Sequence, residues 1–504
     1  MISTFSLWAR RHAANLAAAA GMTVVSLVWL WPGMLMDLGL HGDEAYVGLA
    51  AHDLLHGGAW QMSGMNSHTG PLHQWLVAAT FKAFGTSLTT LRAPGAVLNA
   101  CAVGAYTWAL IKVLGRPQAL WGALLLLTTP AVSALGAVAF EHFALSFALG
   151  VGAWLLLDDA LAHQSRGRAW AAGVLLGLGT WTHLVFVAAP VACAAVAWAR
   201  WGRRLWHHPV AQWALLGWLM VEAGPLMGLG ERIKIQHGGI GIAQRLVQMP
   251  KLLFDTWQGY LVALRTVGHV DGPHWALSLG AAVGALTVVA AAIVRRHRSR
   301  PLCFNLGVGL GAFALALAII APVLSDRLFW MGLLLLPPLW VSACFAAPEL
   351  VGLRRGRTMV GHTLCLALVL LQLSFVAQKL VLPWRGGLEF GNAVAPFGIW
   401  ETSNHYMDTR PVYAALVAGG DKDVVTQNFI GWALRFWDLA DARITVRLSD
   451  SHEIFEPRAE VRPQSTLVSY ARGYRDFEPE VEQPTRTAVE LRHFTLLRPV
   501  VLSP

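Results

Sequence analysis

Residues 41–58 read HGDEAYVGLAAHDLLHGG, and they set adjacent carboxylates, Asp43 and Glu44, just after a long apolar run. Gly42 followed by Asp43 and Glu44, then Leu49, Ala50, Leu54 and Leu55, predicts an amphipathic helix that ends at Gly57–Gly58. Read locally, Asp43 is an N-cap and Glu44 complements the helix dipole, each contributing on the order of 1 kcal/mol. The run before it, Ala13 to Met36, follows Arg10, Arg11 and His12. That run is too long for the core of a cleaved signal, and no small-residue cleavage site precedes His41, so it is expected to remain as a first membrane helix.

The composition points the same way. Of 504 residues, 55% are hydrophobic and 13% charged, with a mean hydropathy of +0.50, which excludes an ordinary soluble multidomain protein. The net charge of +9 does not indicate nucleic acid, because the basic residues sit in short clusters between apolar runs. Cys101, Cys193, Cys303, Cys344 and Cys365 all fall inside apolar segments without a CxxC, and read as small core residues. The 23 tryptophans suit a chain with many membrane–water boundaries.

Candidate spans lie near 13–36, 91–113, 118–135, 142–157, 169–181, 184–199, 211–229, 274–294, 302–324, 328–347 and 360–382. The fifth and sixth could be one helix broken at Pro190. With about eleven spans the clusters at Arg10, Lys112/Arg116, Arg166/Arg168, Arg200–Arg204, Arg295–Arg300 and Arg354–Arg357 share one side, and merging two spans would divide them. The N-terminus is therefore expected in the cytoplasm and everything after residue 383 outside it. Asp43, Glu44, Glu141, His183 and Arg327 then gather on the outer face, and ionisable groups in or beside a membrane are usually functional.

Residues 384–504 carry frequent charges and no further span. DVVTQNF, ARITVRLS, STLVSYAR and LRHFTLLRP read as strands, and IGWALRFWDLA as a helix. The fold class is thus a polytopic α-helical membrane protein: a transmembrane domain over 1–383, with its first extracytoplasmic loop at 37–90, then a small extracytoplasmic α/β domain over 384–504.

The outer loop carries a finer signal. After Asp43-Glu44 come Tyr46, Pro71-Leu72, Trp75, Phe84-Gly85 and Leu91-Arg92-Ala93-Pro94, then AFEHFALSFAL and GLGTWTHLVFVAAPV. In order and sidedness this resembles the GT-C membrane glycosyltransferases, in particular the protein O-mannosyltransferases and lipid A aminoarabinose transferases. The likeness covers roughly residues 1–230 in motif and the remainder in architecture.

The resemblance implies inverting transfer of a sugar from a polyprenyl-phosphate donor to an acceptor at the outer membrane surface. Such chemistry needs a base on the acceptor hydroxyl, cationic or metal stabilisation of the departing phosphate, and a groove for the isoprenoid. By the family match, Asp43 is the base, Glu44 orients the acceptor or binds a metal, and Glu141 stands where relatives place an acidic residue on the second outer loop. A divalent ion on Asp43 and Glu44 is the one cofactor left open. Relatives use lysine in a Thr-Lys-Gly turn where this chain has Thr182-His183-Leu184, and their other basic positions fall near Ala45 and Gly70. His183, Arg327 and Arg92 are the donor-phosphate candidates, with His68, His73, Arg232, Lys234 and Arg245 as further replacements, and Tyr46 and His73 would meet the acceptor. Arg327 can equally be an interfacial arginine paired with Asp326, and Glu141 an interfacial partner of His142. His52 and His56, four apart, have metal-ligand spacing but read as a solvated face.

Partners implied are the lipid-linked donor, membrane lipids and an acceptor that is a glycan, lipid or protein, with no nucleic acid. The compartment implied is a bacterial inner membrane. A secondary transporter or lipid flippase is the rival reading, although transporters place carboxylates near the bilayer midplane and often on inverted repeats. A GT-C-like chain that binds polyprenyl lipid without transfer is the other.

Overall fold

The computed structural model describes residues 2–35, 40–58, 69–129, 132–133, 136–139, 143–227, 308–316, 332–350, 356–376, 409–449, 462, 464–470, 486–491 and 494–499. It is mostly helical, and four described stretches are long and apolar enough to cross a membrane: His12–Trp31, Leu88–Leu114, Ala144–His163 and Arg357–Ser374. The expected span at 274–294 lies outside the described residues.

The helices in order are α1 (Ile2–Leu35), α2 (Gly42–Leu55), α3 (Leu72–Phe84), α4 (Leu88–Leu114), α5 (Arg116–Leu127), α6 (Ala144–His163), α7 (Arg166–Thr182), α8 (Ala188–Trp201), α9 (Pro209–Met227), α10 (Leu336–Leu350) and α11 (Arg357–Val376). Small residues allow the bundle to close: a Cβ on Gly177 of α7 would stand 2.7 Å from the Val221 Cβ of α9. Tyr106 of α4 donates a 2.6 Å hydrogen bond to the Leu334 carbonyl, tying two distant parts of the main apolar core.

One local outcome differs from the pattern reading, the end of α5, and two bear it out. α5 stops at Leu127, well short of residue 135, because Thr128, Thr129 and then Pro130 follow; both hydroxyls fold back onto carbonyls one turn earlier. The chain then turns through 136–139. The fifth and sixth spans are separate, and the break falls at His183, one extended residue between α7 and the 3₁₀ turn Leu184–Val187, with Pro190 inside α8. α2 ends at Leu55, two residues before Gly57, whose φ of 90° marks the left-handed turn.

The C-terminal part holds α12 (Arg410–Gly419), β1 (Asp423–Thr426), α13 (Asn428–Trp437), β2 (Thr445–Leu448), β3 (Thr466–Tyr470), β4 (Arg486–Leu491) and β5 (Phe494–Pro499). The strand order is β2-β1-β3-β5-β4, with β1 parallel to both neighbours and β3, β5 and β4 antiparallel. Strand β4 was not expected; it is an edge strand paired only with β5 and carries a weak apolar pattern.

Helix α13 is covered on two sides. Ile430 and Leu434 enter the core over the sheet, whereas Trp432, Ala433 and Phe436 share a core with Ala45, Val47 and Ala51 of α2 and Val77, Ala78 and Phe81 of α3. A Cβ on Gly48 would lie 2.5 Å from the Phe436 ring, so the glycine is what lets the two helices meet. The sheet is thereby packed onto the helix that carries the carboxylate pair.

Candidate active site

The start of α2 is organised by His41, and this changes the local reading of Asp43. His41 is the N-cap: its Nδ1 accepts from the Asp43 amide at 3.0 Å, and its own amide donates to Glu44 Oε2 at 3.4 Å, forming a capping box. Histidine is not a usual cap residue, so Asp43 looks like the cap from sequence. With His41 in that place, the Asp43 side chain is not consumed by capping. The Asp43 Oδ2 lies 3.7 Å from His41 Nδ1, the nitrogen that accepts the hydrogen bond of the Asp43 amide.

Glu44 has a different environment. Arg92 Nε and Nη2 donate to its Oε1 and Oε2 at 2.9 and 2.8 Å, and both side chains are 0% exposed. Oε1 also accepts from the Ala139 amide at 2.8 Å. With the His41 amide on Oε2, four donors meet the four lone-pair directions of one carboxylate. A divalent ion shared by Asp43 and Glu44 does not fit this arrangement, since Glu44 has no direction left to offer. Among the described residues no group of three or more metal-binding side chains occurs. Arg92 is likewise committed, and a donor phosphate would have to displace Glu44 to reach the guanidinium bonds described.

A second cluster joins the stretch before α3 to the end of α7. Thr69 pairs with His183 in an isolated antiparallel bridge, and the Gly70 amide donates to the Thr182 carbonyl at 2.9 Å. Gly70 packs against the Trp181 carbonyl so closely that no side chain fits there, and Trp75 meets Trp181 edge-on at 5.6 Å. His183 Nδ1 accepts from the Val185 amide at 3.2 Å, which leaves the ring proton on Nε2. Helix α3 starts at Pro71 without a side-chain cap, so no cap side chain meets its first amides, which as in any helix lack an intrahelical acceptor. His73, in that first turn, is fully buried with neither ring nitrogen hydrogen-bonded, and burial pushes its pKa down to about 4, so the ring is neutral.

Tyr46, one turn on from Asp43, is half-buried and packs edge-on against Trp432 of α13 at 5.4 Å. His52 and His56 stack at 4.0 Å at the far end of α2, and His56 Nδ1 donates to the His52 carbonyl, a helix-end contact. Glu141 and Arg327 lie outside the described residues, as do His68, Arg232, Lys234 and Arg245.

Arg92, with Glu44 and segment 136–139 bonded around it, stands at the start of α4, and His183, bridged to Thr69, stands at the finish of α7. At the opposite ends of these helices, Lys112 of α4 pairs with Asp158 of α6 at 3.0 Å, and Arg168 of α7 with Asp159.

Comparison with known proteins agrees with the loop motifs. A family model described as dolichyl-phosphate-mannose-protein mannosyltransferase matches residues 67–227. The crystal structure of ArnT from Cupriavidus metallidurans bound to undecaprenyl phosphate has 12% identity and a TM-score of 0.57, covering 96% of this chain and 99% of that one. Its apo form gives 13%, a TM-score of 0.50 and coverage of 95% and 97%. The oligosaccharyltransferase of Archaeoglobus fulgidus, at 14% identity and a TM-score of 0.45, covers 86% of this chain and 62% of that one. No curated protein matches the chain in sequence at a significant level. The chain thus resembles the GT-C membrane glycosyltransferases, by the family model over 67–227 and by fold along nearly its whole length.

Proposed function

We propose that this chain is an inverting glycosyltransferase that moves a sugar from a polyprenyl-phosphate donor to an acceptor on the extracytoplasmic face of the membrane. The observation that carries the reading is the pair of carboxylates at the start of α2: Glu44 is saturated by four donors, while Asp43 beside it is relieved of the capping role by His41. In this reading the Asp43 carboxylate takes the proton of the acceptor hydroxyl. The hydroxyl oxygen bonds to the anomeric carbon from the face opposite the phosphate, the carbon–phosphate-oxygen bond breaks, and polyprenyl phosphate leaves with the electron pair.

The leaving phosphate needs donors, and this chain lacks the lysines its relatives use. The uncapped first turn of α3, with the His73 ring and the Nε2–H of His183 across the Thr69 bridge, supplies neutral donors and a positive helix end. Arg327 and Glu141 remain proposed contributors, for the phosphate and for the reacting sugar. ArnT crystallises with undecaprenyl phosphate, which makes that lipid the first donor carrier to test. The bundle end with Lys112, Asp158 and Arg168 is then cytoplasmic, and the sheet on α2 is outside, in a bacterial-type inner membrane.

The test uses membranes from cells lacking this gene, which still hold whatever donor and acceptor the protein uses. Purified protein is added, and lipids and glycans are followed by mass spectrometry. A fall in one polyprenyl-phosphate sugar, matched by a new glycosylated product, is expected with the native protein and not with Asp43→Asn. Equal turnover with Asp43→Asn would remove Asp43 as base.

A further inference from the structure

Helix α4 presents Arg92, Gly95 and Asn99 at i, i+3 and i+7, which is one helical face. Arg92 holds Glu44 of α2 through the two bonds already described. A Cβ on Gly95 would stand 3.2 Å from the Val138 carbonyl oxygen and 3.6 Å from that of Ala137, so segment 136–139 runs along bare helix backbone. Asn99 Nδ2 donates to the Gly136 carbonyl at 2.6 Å. The segment's other end, the Ala139 amide, donates to Glu44 Oε1 at 2.8 Å. These contacts close a circuit: α2 to α4, α4 to 136–139, and 136–139 back to α2.

Arg92 and Asn99 are both 0% exposed. Asn99 keeps its Oδ1 buried without a partner, which makes the amide a poor stabiliser of the bundle. What it does supply is one directed bond on the segment's backbone. A misplacement of about 1 Å at a reacting group can cost on the order of a hundredfold in rate, so a device that spaces two active-site segments has a catalytic consequence.

We propose that this face of α4 is a positioning device: Asn99, Gly95 and Arg92 set the spacing between the Asp43 turn and segment 136–139, with Glu44 as the joint between them rather than a group that acts on substrate. The proposal rests on the transferase reading for its effect on rate, but its geometric part is measurable without turnover.

The experiment compares Asn99→Leu, which keeps volume and removes the donor, and Glu44→Gln with the native protein, with Asn99→Ala standing in should Asn99→Leu not fold. Three quantities are read: turnover in the gene-deficient membranes, affinity for undecaprenyl phosphate in detergent, and amide hydrogen exchange of segment 136–139. The positioning account expects Asn99→Leu to lose at least tenfold in turnover while binding undecaprenyl phosphate within threefold of native. Exchange at 136–139 should rise at least tenfold in both variants, with α5 and α6 unchanged. Unchanged turnover in a folded Asn99 variant overturns the proposal, and so does loss of turnover in Glu44→Gln with native exchange at 136–139, which would make Glu44 a group acting on substrate. If native protein shows no turnover, the transferase reading fails by itself, and exchange alone decides whether the circuit exists.

Discussion

Removing Arg92 while leaving Glu44 in place is the sharpest perturbation of the site's frame. In Arg92→Met the Glu44 carboxylate loses two charge-assisted bonds of 2.9 and 2.8 Å and retains only the Ala139 and His41 amides, in a position with no solvent access. Stranding one member of a buried pair costs about 3–5 kcal/mol, two to three and a half powers of ten in the folded-to-unfolded ratio. Replacing both partners, Glu44→Leu with Arg92→Met, removes the stranded charge. It leaves the Ala139 amide and the more distant His41 amide without their acceptor, about 1–3 kcal/mol for the closer one, so the double variant should be comparable to Arg92→Met alone. The coupling energy from the cycle should reach about 2 kcal/mol. Equilibrium unfolding in mixed micelles with rising sodium dodecyl sulfate, followed by tryptophan fluorescence, gives all four stabilities. A cost for Arg92→Met under about 1 kcal/mol, the value of an exposed pair, would refute the reasoning.

Other outcomes follow from the same geometry. Gly48→Val forces a side chain into the Phe436 ring, which a Cβ already approaches to 2.5 Å; an overpacking cost of about 1–3 kcal/mol is expected, with faster proteolysis of the C-terminal sheet. The His73 pKa of about 4 lies below the unfolded value of 6.5, so the unfolded chain binds more protons between the two. Stability attributable to His73 is therefore intact above pH 6.5 and lost as pH falls towards 4, by about 3 kcal/mol in all, and His73→Leu should abolish that slope in a pH series of unfolding midpoints. Gly70→Ala places a methyl against the Trp181 carbonyl and should separate Thr69 from His183, weakening undecaprenyl phosphate binding in a lipid-binding titration.

Much of the architecture was readable because it depends on local pattern. Apolar runs marked the four described stretches long enough to cross a membrane, the Asp43–Leu55 periodicity marked α2, and β-branched clusters marked four of the five strands. What was not readable is long-range or backbone-borne. Glu44 and Arg92 are 48 residues apart, and nothing in either motif pairs them. The Ala139 amide has no side-chain signature at all. Asn99 is the one polar amide in the apolar stretch 93–105 of α4, a signal that burial of its amide against Gly136 would explain only once the segment's path is known. The seating of α13 on α2 had no signal of its own: IGWALRFW reads as an amphipathic helix, and which elements its broad apolar side meets is set only by the fold.

The central claim, that Asp43 acts on a polyprenyl-phosphate sugar, is tested most directly by the lipids that co-purify with the protein from its native membrane. Mild extraction of native protein and of Asp43→Asn, followed by lipid mass spectrometry, should yield a polyprenyl phosphate with the native chain. The variant, able to bind the donor but not to turn it over, should carry the sugar-linked form. Bulk phospholipid alone in both preparations would contradict the account.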